Sequence, residues 1–507
     1  MPQPICWVLA TVIAASTATA RGATLEINVV DGAGAPLPCR VHLQDERGKP
    51  QRAAGLPFWK DHFVCPGSAE LMLKPGVYTY AIERGPEYRP ATGSVEVPDE
   101  GRRQLPIQLL RIADLAIRGW WSGDLHVHRA VEEMPLHLRA EDLHVAPVIT
   151  WWNTRNRWRD QSLPPRTLVT VDGNRFFDVM GGEDEREAGA LLFFGLPEPL
   201  PLPGSRNAFP EHPSTMQFVE LARQQDATWI DLEKPFWWDA PVWLASGQVD
   251  SIGLANNHMC RSSMYQDEAW GKPRDAQRLP PPLGNGHWTQ EVYYHVLNCG
   301  LRIPPSAGSA SGVLPNPVGY DRVYVHTDPE LSYSEWWQGL KAGRCFVTNG
   351  PLLLCRADGQ LPGHVFQSDT PMEIEIHGEL ASNDHVPALD IVQDGAVVST
   401  VPLTRADATR GVASVKFDRS GWFLVRAVTD RTDTFRFAST GPFYVEIGDS
   451  PTRISRRSVQ FFVDWLAERG QRVRQNLKDP AKLRDVLVHH DNAKRFWQDR
   501  LKQANAD

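Results

Sequence analysis

The chain has 507 residues, 42% hydrophobic and 22% charged, with a formal net charge of -8 at pH 7. Its length accommodates roughly three to four domains of about 150 residues each. Its composition is that of globular protein, and its mild acidity carries no nucleic-acid footprint.

Residues 6–20 are apolar or small and end in Ala18-Thr19-Ala20 ahead of Arg21. A small-x-small site after an apolar run reads as a signal peptide over residues 1–20, although no Lys or Arg precedes it. The expected location is therefore secreted or periplasmic. No later stretch is long and apolar enough to form a membrane span. Of the seven cysteines, six follow that leader. An oxidising compartment permits Cys39 to pair with Cys65 and Cys345 with Cys355; six buried free thiols are the alternative. No CxxC spacing of a structural zinc site is present.

Residues 21–112 read as a small β-domain. Leu25 to Val30 form a strand, Asp31-Gly32-Ala33-Gly34 a turn, and Arg40 to Leu43 and Glu70 to Leu73 alternate as half-buried strands. The pattern resembles the transthyretin-like or carboxypeptidase-regulatory β-sandwiches. Residues 113–350 look α/β. Short apolar strands at 145–150 and 191–194 alternate with helical segments such as 215–226, where Phe218, Leu221 and Ala222 share a face. Such alternation predicts parallel strands with crossover helices and chemistry at the strands' C-terminal ends. Residues 351–447 return to strands, with strict alternation at Met372 to Ile376, and predict a second β-sandwich. Residues 448–507 predict a tail of two or three helices. Val459, Phe462, Val463 and Leu466 lie on one face, and His489-His490 read as an exposed pair.

The chemistry-bearing run is Gly123-Asp124-Leu125-His126-Val127-His128. At strand period two both imidazoles point to one face and can converge on one cation; two solvent-facing histidines are the alternative. Tryptophan is the other outlier. There are 18, of which 13 lie between Trp120 and Trp337, and such clusters serve either as core or as stacking faces.

The longer run Trp120-Trp121-Ser122-Gly123-Asp124-Leu125-His126-Val127-His128 resembles the opening motif of PHP-type metallohydrolases, most closely their CehA/McbA branch. Later landmarks follow in the family's order. Met180-Gly181-Gly182-Glu183 matches a strand ending in a metal-binding Glu, and Val249 to Asn257 matches a later strand ending in Asn. Gly343 to Leu352 matches the segment that leaves the barrel. The resemblance implies a multidomain α/β protein. In it, a distorted (β/α)7 PHP-like barrel would be flanked by two β-sandwich domains and followed by a C-terminal helical tail. The pattern also departs from the family. Thr150-Trp151-Trp152-Asn153 stands for Thr-Asp-His, Glu233-Lys234-Pro235 for a His-Pro step, and Ser309-Ala310-Ser311 for the closing Asp-x-His.

By position, His126, His128 and Glu183 transfer as metal ligands, with His258 an added candidate outside the family pattern. The expected cofactor is a divalent metal (zinc, manganese or iron), as one or two ions rather than three. Asp124 and Lys234 are the candidate catalytic groups. Asp124 would orient an imidazole, or serve as a strand-entry turn residue. Lys234 would neutralise Glu183 or Glu233, bind an anionic group, or sit in a surface turn. Trp151, Trp152, Asn153, Glu233, Trp237, Trp238 and Asn257 are candidate substrate contacts. Arg155, Arg157 and Arg186 are further cations there, and His137 and His144 are read as structural. Glu183 to Glu187 otherwise looks like a solvated charge run. The resemblance implies an exported hydrolase that attacks an ester, amide or phosphoester with metal-activated water. The alternatives are a degenerate barrel that binds a small molecule or glycan without turnover, or a structural envelope protein.

Overall fold

The computed structural model describes residues 22–204, 210–225, 228–327, 330–403, 409–449 and 452–507. The expected signal peptide lies outside them. The protein is multidomain and rich in sheet. Among the described residues, no helix is long and apolar enough to cross a membrane.

The N-terminal strands make two sheets, one of three strands around Ala23–Val30 and one of five around Cys39–Gln44. Ala23–Val30 alternates as the sequence predicts. Leu25, Ile27 and Val29 are buried in a core of this unit's own, and Glu26 and Asn28 face outward.

The central unit is a closed ring of strands. Trp120–Gly123 pairs in parallel with Val145–Trp152, which pairs in parallel with Arg175–Arg186. Gly189–Phe194 then runs antiparallel to both Arg175–Arg186 and Trp229–Leu232. Trp229–Leu232, Ser251–Asn256 and Pro305–Gly308 follow in parallel. The ring closes past the last strand's end. The Leu125 N–H donates to the Ala307 carbonyl at 2.9 Å, and Val127 bridges both Val148 and Ser311. Two expectations are corrected here. The strand bearing the histidines ends at Gly123, although Leu125 and Val127 keep the alternation and are buried. The segment at 191–194 is antiparallel, because Glu187 and Ala188 leave a link too short for a parallel crossover.

The ring does not stop where the second sandwich begins. Arg322–His326 pairs with Trp120–Gly123 and with Cys345–Thr348, and Cys345–Thr348 pairs with Phe437–Thr440. One hydrogen-bonded sheet therefore runs from the ring into residues 351–447. The tail is two helices, Arg456–Asn476 and Pro480–Lys502. Phe462, Trp465 and Trp497 join the ring's core, and Trp497 Nε1 donates to the Pro241 carbonyl at 2.9 Å. This docking buries His490 near Asp239, against the expectation of an exposed pair. The pairing of Cys345 with Cys355 is not formed: all six described cysteines are free thiols. Cys345 Sγ lies 3.8 Å from the Pro305 carbonyl, while Cys355 Sγ lies 3.9 Å from that of Arg356.

The first sandwich is fastened to the N-terminal end of the ring by buried charge. Asp142 accepts from Arg84 at 2.8 Å, Arg111 at 2.5 Å and Arg175 at 2.6 Å. Burial alone would raise the Asp142 carboxyl; Arg84, His144, Arg111 and Arg175 outweigh it and hold it well below the usual range. A depressed carboxylate contributes stability above its unfolded pKa of about 3.9, and that stability is lost as pH falls. Asp142→Asn keeps a residue tolerant of the positive φ there (50°), removes the charge and turns one oxygen that accepts from arginine into an N–H donor. We predict that it destabilises the chain by about 3 kcal/mol at pH 7 in urea unfolding. The gap from the parent should narrow as the pH is lowered toward 3.

Candidate metal centre

Three i, i+2 acidic or imidazole pairs of the ring meet near its C-terminal ends: His126 and His128, Glu183 and Glu185, Asp231 and Glu233. Period two aims both members of each pair the same way. His126 Nε2 lies 3.0 Å from His128 Nε2, 3.5 Å from Glu183 Oε1, and His128 Nε2 is 3.2 Å from Glu183 Oε2. These three side chains bring one ligand atom each within 4.8 Å of one another, and all are buried or nearly so.

Behind them, His126 Nδ1 faces Glu233 Oε1 at 3.3 Å without hydrogen-bond alignment. Both Glu233 oxygens accept from Lys234 Nζ at 2.5 Å, and Oε2 also accepts from Trp237 Nε1 at 2.8 Å. Of the roles open to Lys234, the structure therefore has it neutralising Glu233. Glu233, expected as a substrate contact, instead backs an imidazole in the manner of a carboxylate behind a metal-ligating histidine.

Burial and neighbouring charges of both signs shift these groups. Burial alone would lower His126; the carboxylates of Glu183 and Glu233 outweigh it and carry the imidazole up to about 10. Burial would raise Glu183, but the two histidines hold it well below the carboxylate range. Burial, then Glu183, pushes Glu185 up to about 8, and burial lifts Asp231 to about 7. Neither Glu185 nor Asp231 was a sequence candidate. The signal was available in the i, i+2 spacing to Glu183 and to Glu233.

Asp124 does not touch either imidazole. Its oxygens accept the His126 N–H at 3.0 Å, the Ser309 N–H at 3.0 Å, the Ser309 hydroxyl at 2.5 Å and the Gly319 N–H at 2.7 Å. It is a backbone clamp rather than a catalytic group. His258 is outside the converging set. Its ring stacks on Tyr265 at 4.8 Å and tilts against Phe236 at 5.6 Å, which fixes it in packing.

Most expected substrate contacts are internal. Trp151 donates to the Met180 carbonyl, Trp237 stacks on Trp270, and Trp238 lies under Arg472 and Lys272 from beyond the ring. Asn153 bonds Asp184 and the Glu185 N–H, while the Asn257 side chain is buried with its Oδ1 unpartnered among the described residues. Trp152 is half-buried, with its ring edge-on to His128 at 4.9 Å. The charge run is a buried strand in which Arg186 pairs with Asp184 at 2.6 Å. Arg157 pairs with Glu132, while Arg155 lies 5.7 Å over the Trp152 ring.

His42, Asp61 and His62 also lie within 4.8 Å of one another. There Arg40 Nε donates to His42 Nε2 at 3.0 Å, so that nitrogen offers its lone pair and Nδ1 carries the proton toward Asp61. A metal on Nδ1 would require an imidazolate beside a guanidinium. We read this group as a hydrogen-bonded clamp.

No family model matches the chain, and no curated protein matches it. Among solved structures, it is similar to a CARDB domain from Pyrococcus furiosus solved in complex with di-metal ions. The identity is 14%, over 19% of this chain and 89% of that one, with a TM-score of 0.14. A likeness that low informs neither the fold nor the site.

Gly308 carries the backbone past His126, and a Cβ there would stand 2.4 Å from the His126 Cβ. Gly308→Ala should displace His126 while leaving every donor in place. Calorimetric titration with zinc or manganese should show affinity weakened by about tenfold or more, with an unchanged far-ultraviolet spectrum. Unaltered affinity would place binding away from His126.

Proposed function

We propose that this chain is a divalent-metal-dependent hydrolase similar to the CehA/McbA branch of the PHP-type enzymes, working with one ion. The observation that carries the reading is the 3.0 Å approach of His126 Nε2 to His128 Nε2 beside the Glu183 carboxylate. In the metal-free chain a proton bridges that approach, and a cation held by both nitrogens and by Glu183 would take its place. His126 Nε2, His128 Nε2 and the Glu183 carboxylate would hold the ion. Two imidazoles and a carboxylate suit zinc, manganese or iron.

Bound there, such an ion would supply Lewis-acid chemistry suited to water activation and to an ester, amide or phosphoryl oxygen. The chain's own residues do the rest. Glu233 stands 3.3 Å behind His126 Nδ1 and places a negative charge beside the ring. Lys234 and Trp237 occupy the Glu233 oxygens, which leaves that carboxylate spoken for and favours one ion over two. Trp152, half-buried against His128, offers a flat apolar wall for the acyl or leaving group.

This reading is favoured over glycan binding without turnover because Trp151, Trp237 and Trp238 are spent in packing. An exported location, small-molecule substrates and the PHP-type identity of the barrel belong to the same proposal.

Metal analysis of the purified full chain should give close to one zinc, manganese or iron per chain. His126→Ala/His128→Ala should retain less than about a tenth of that. Chelation should abolish hydrolysis of nitrophenyl ester or phosphoester substrates, and metal should restore it. A parent protein holding no more metal than the variant overturns the proposal.

A further inference from the structure

We propose that Cys39 and Cys65 form a disulfide when the chain folds under oxidising conditions, cross-linking two strands of the first sandwich. They are direct partners across the antiparallel pair Cys39–Gln44 and His62–Cys65. Their sulfurs lie 3.6 Å apart, and both residues are fully buried in that unit's core. Residues facing each other across such a ladder have Cβ atoms about 4.5–5.5 Å apart, against roughly 3.5–4.5 Å in disulfides, so a small closure of the pair suffices.

The other described cysteines have no such neighbour in place. Cys260 turns its thiol to the Asn257 carbonyl at 3.3 Å, and Cys345 and Cys355 face carbonyls in two different cores. The cross-link would sit where it matters for the assembly. Cys39 opens the strand that carries Arg40, whose guanidinium crosses to Glu141 of the ring at 2.5 Å. Asp61 and His62 lie on the hairpin that Cys65 closes.

The chemistry balances with oxidised glutathione as the oxidant. While the pair is still open to solvent either thiol can react first with the same product; take Cys65. Before the core closes, its thiolate attacks one sulfur of the oxidant and expels a glutathione thiolate. Cys39 then gives its proton to solvent and attacks the Cys65 sulfur, expelling the second glutathione. Two protein thiols lose two electrons and two protons, and one glutathione disulfide becomes two thiols.

The test is to refold the full chain in a reduced and oxidised glutathione buffer, block free thiols with N-ethylmaleimide in denaturant, and digest with trypsin. The expected product joins residues 22–40 to residues 61–84, is two hydrogens lighter than their sum, and vanishes on reduction. Cys260, Cys299, Cys345 and Cys355 should carry the blocking group. Finding it on Cys39 and Cys65 as well overturns the proposal. As a second readout, dithiothreitol should lower the melting midpoint of the parent by roughly 5 °C and leave Cys39→Ser/Cys65→Ser unmoved. An equal response in both proteins would also overturn it.

Discussion

The arrangement of this protein turns on one buried carboxylate. Asp124 is fully enclosed and accepts hydrogen bonds from the backbone of His126, the backbone and hydroxyl of Ser309, and the backbone of Gly319. Burial lifts its carboxyl above the ordinary range, and the donors act against that rise. These bonds stitch the end of the first ring strand to the loop after the last, where the strand ladder has run out. Both histidines follow directly on that seam. Gly308 passes against His126 and Gly312 against His128 too closely for any larger residue, so the two imidazoles stand on a surface with little freedom.

Both ends of the ring bury charge of both signs. At the N-terminal end, Asp142 sits among Arg84, Arg111 and Arg175, and two of these arginines also pair with Glu87, Asp114 and Asp172. At the C-terminal end, Glu183, Glu233, Asp231 and Glu185 crowd two histidines and one lysine. Within it, His126, His128 and Glu183 are the three side chains whose ligand atoms converge. A chain of contacts from His128 through Glu183, His126 and Glu233 to Lys234 makes that end a single electrostatic unit.

Local patterns were legible wherever the cause was local. His126-Val127-His128 announced its two faces, the hairpins and alternating strands of both sandwiches followed from period two, and Val459, Phe462 and Leu466 marked the buried stripe of a tail helix. What escaped notice depended on partners far along the chain. Asp124 looked like a companion of the adjacent histidines, yet its other donors lie 185 and 195 residues away. Glu183 to Glu187 looked solvated because a string of charges conceals its own alternation. Asp184 and Arg186 satisfy each other on one side while Glu183 and Glu185 face the other. His490 looked exposed because only docking of the tail against the ring covers it. The tryptophans looked like ligand contacts for the same reason: strand ends in sequence do not say which rings the core will claim.

The most direct test of the central claim is crystallographic. Crystals of the full chain soaked in zinc or manganese should be measured at the metal's absorption edge. The account predicts one anomalous peak among His126 Nε2, His128 Nε2 and the Glu183 carboxylate, at about 2.1 Å from each nitrogen. It predicts none at Lys234 and none between His42 and His62. No peak at the first position, or density for an ion at His42 with Arg40 turned away, would contradict it.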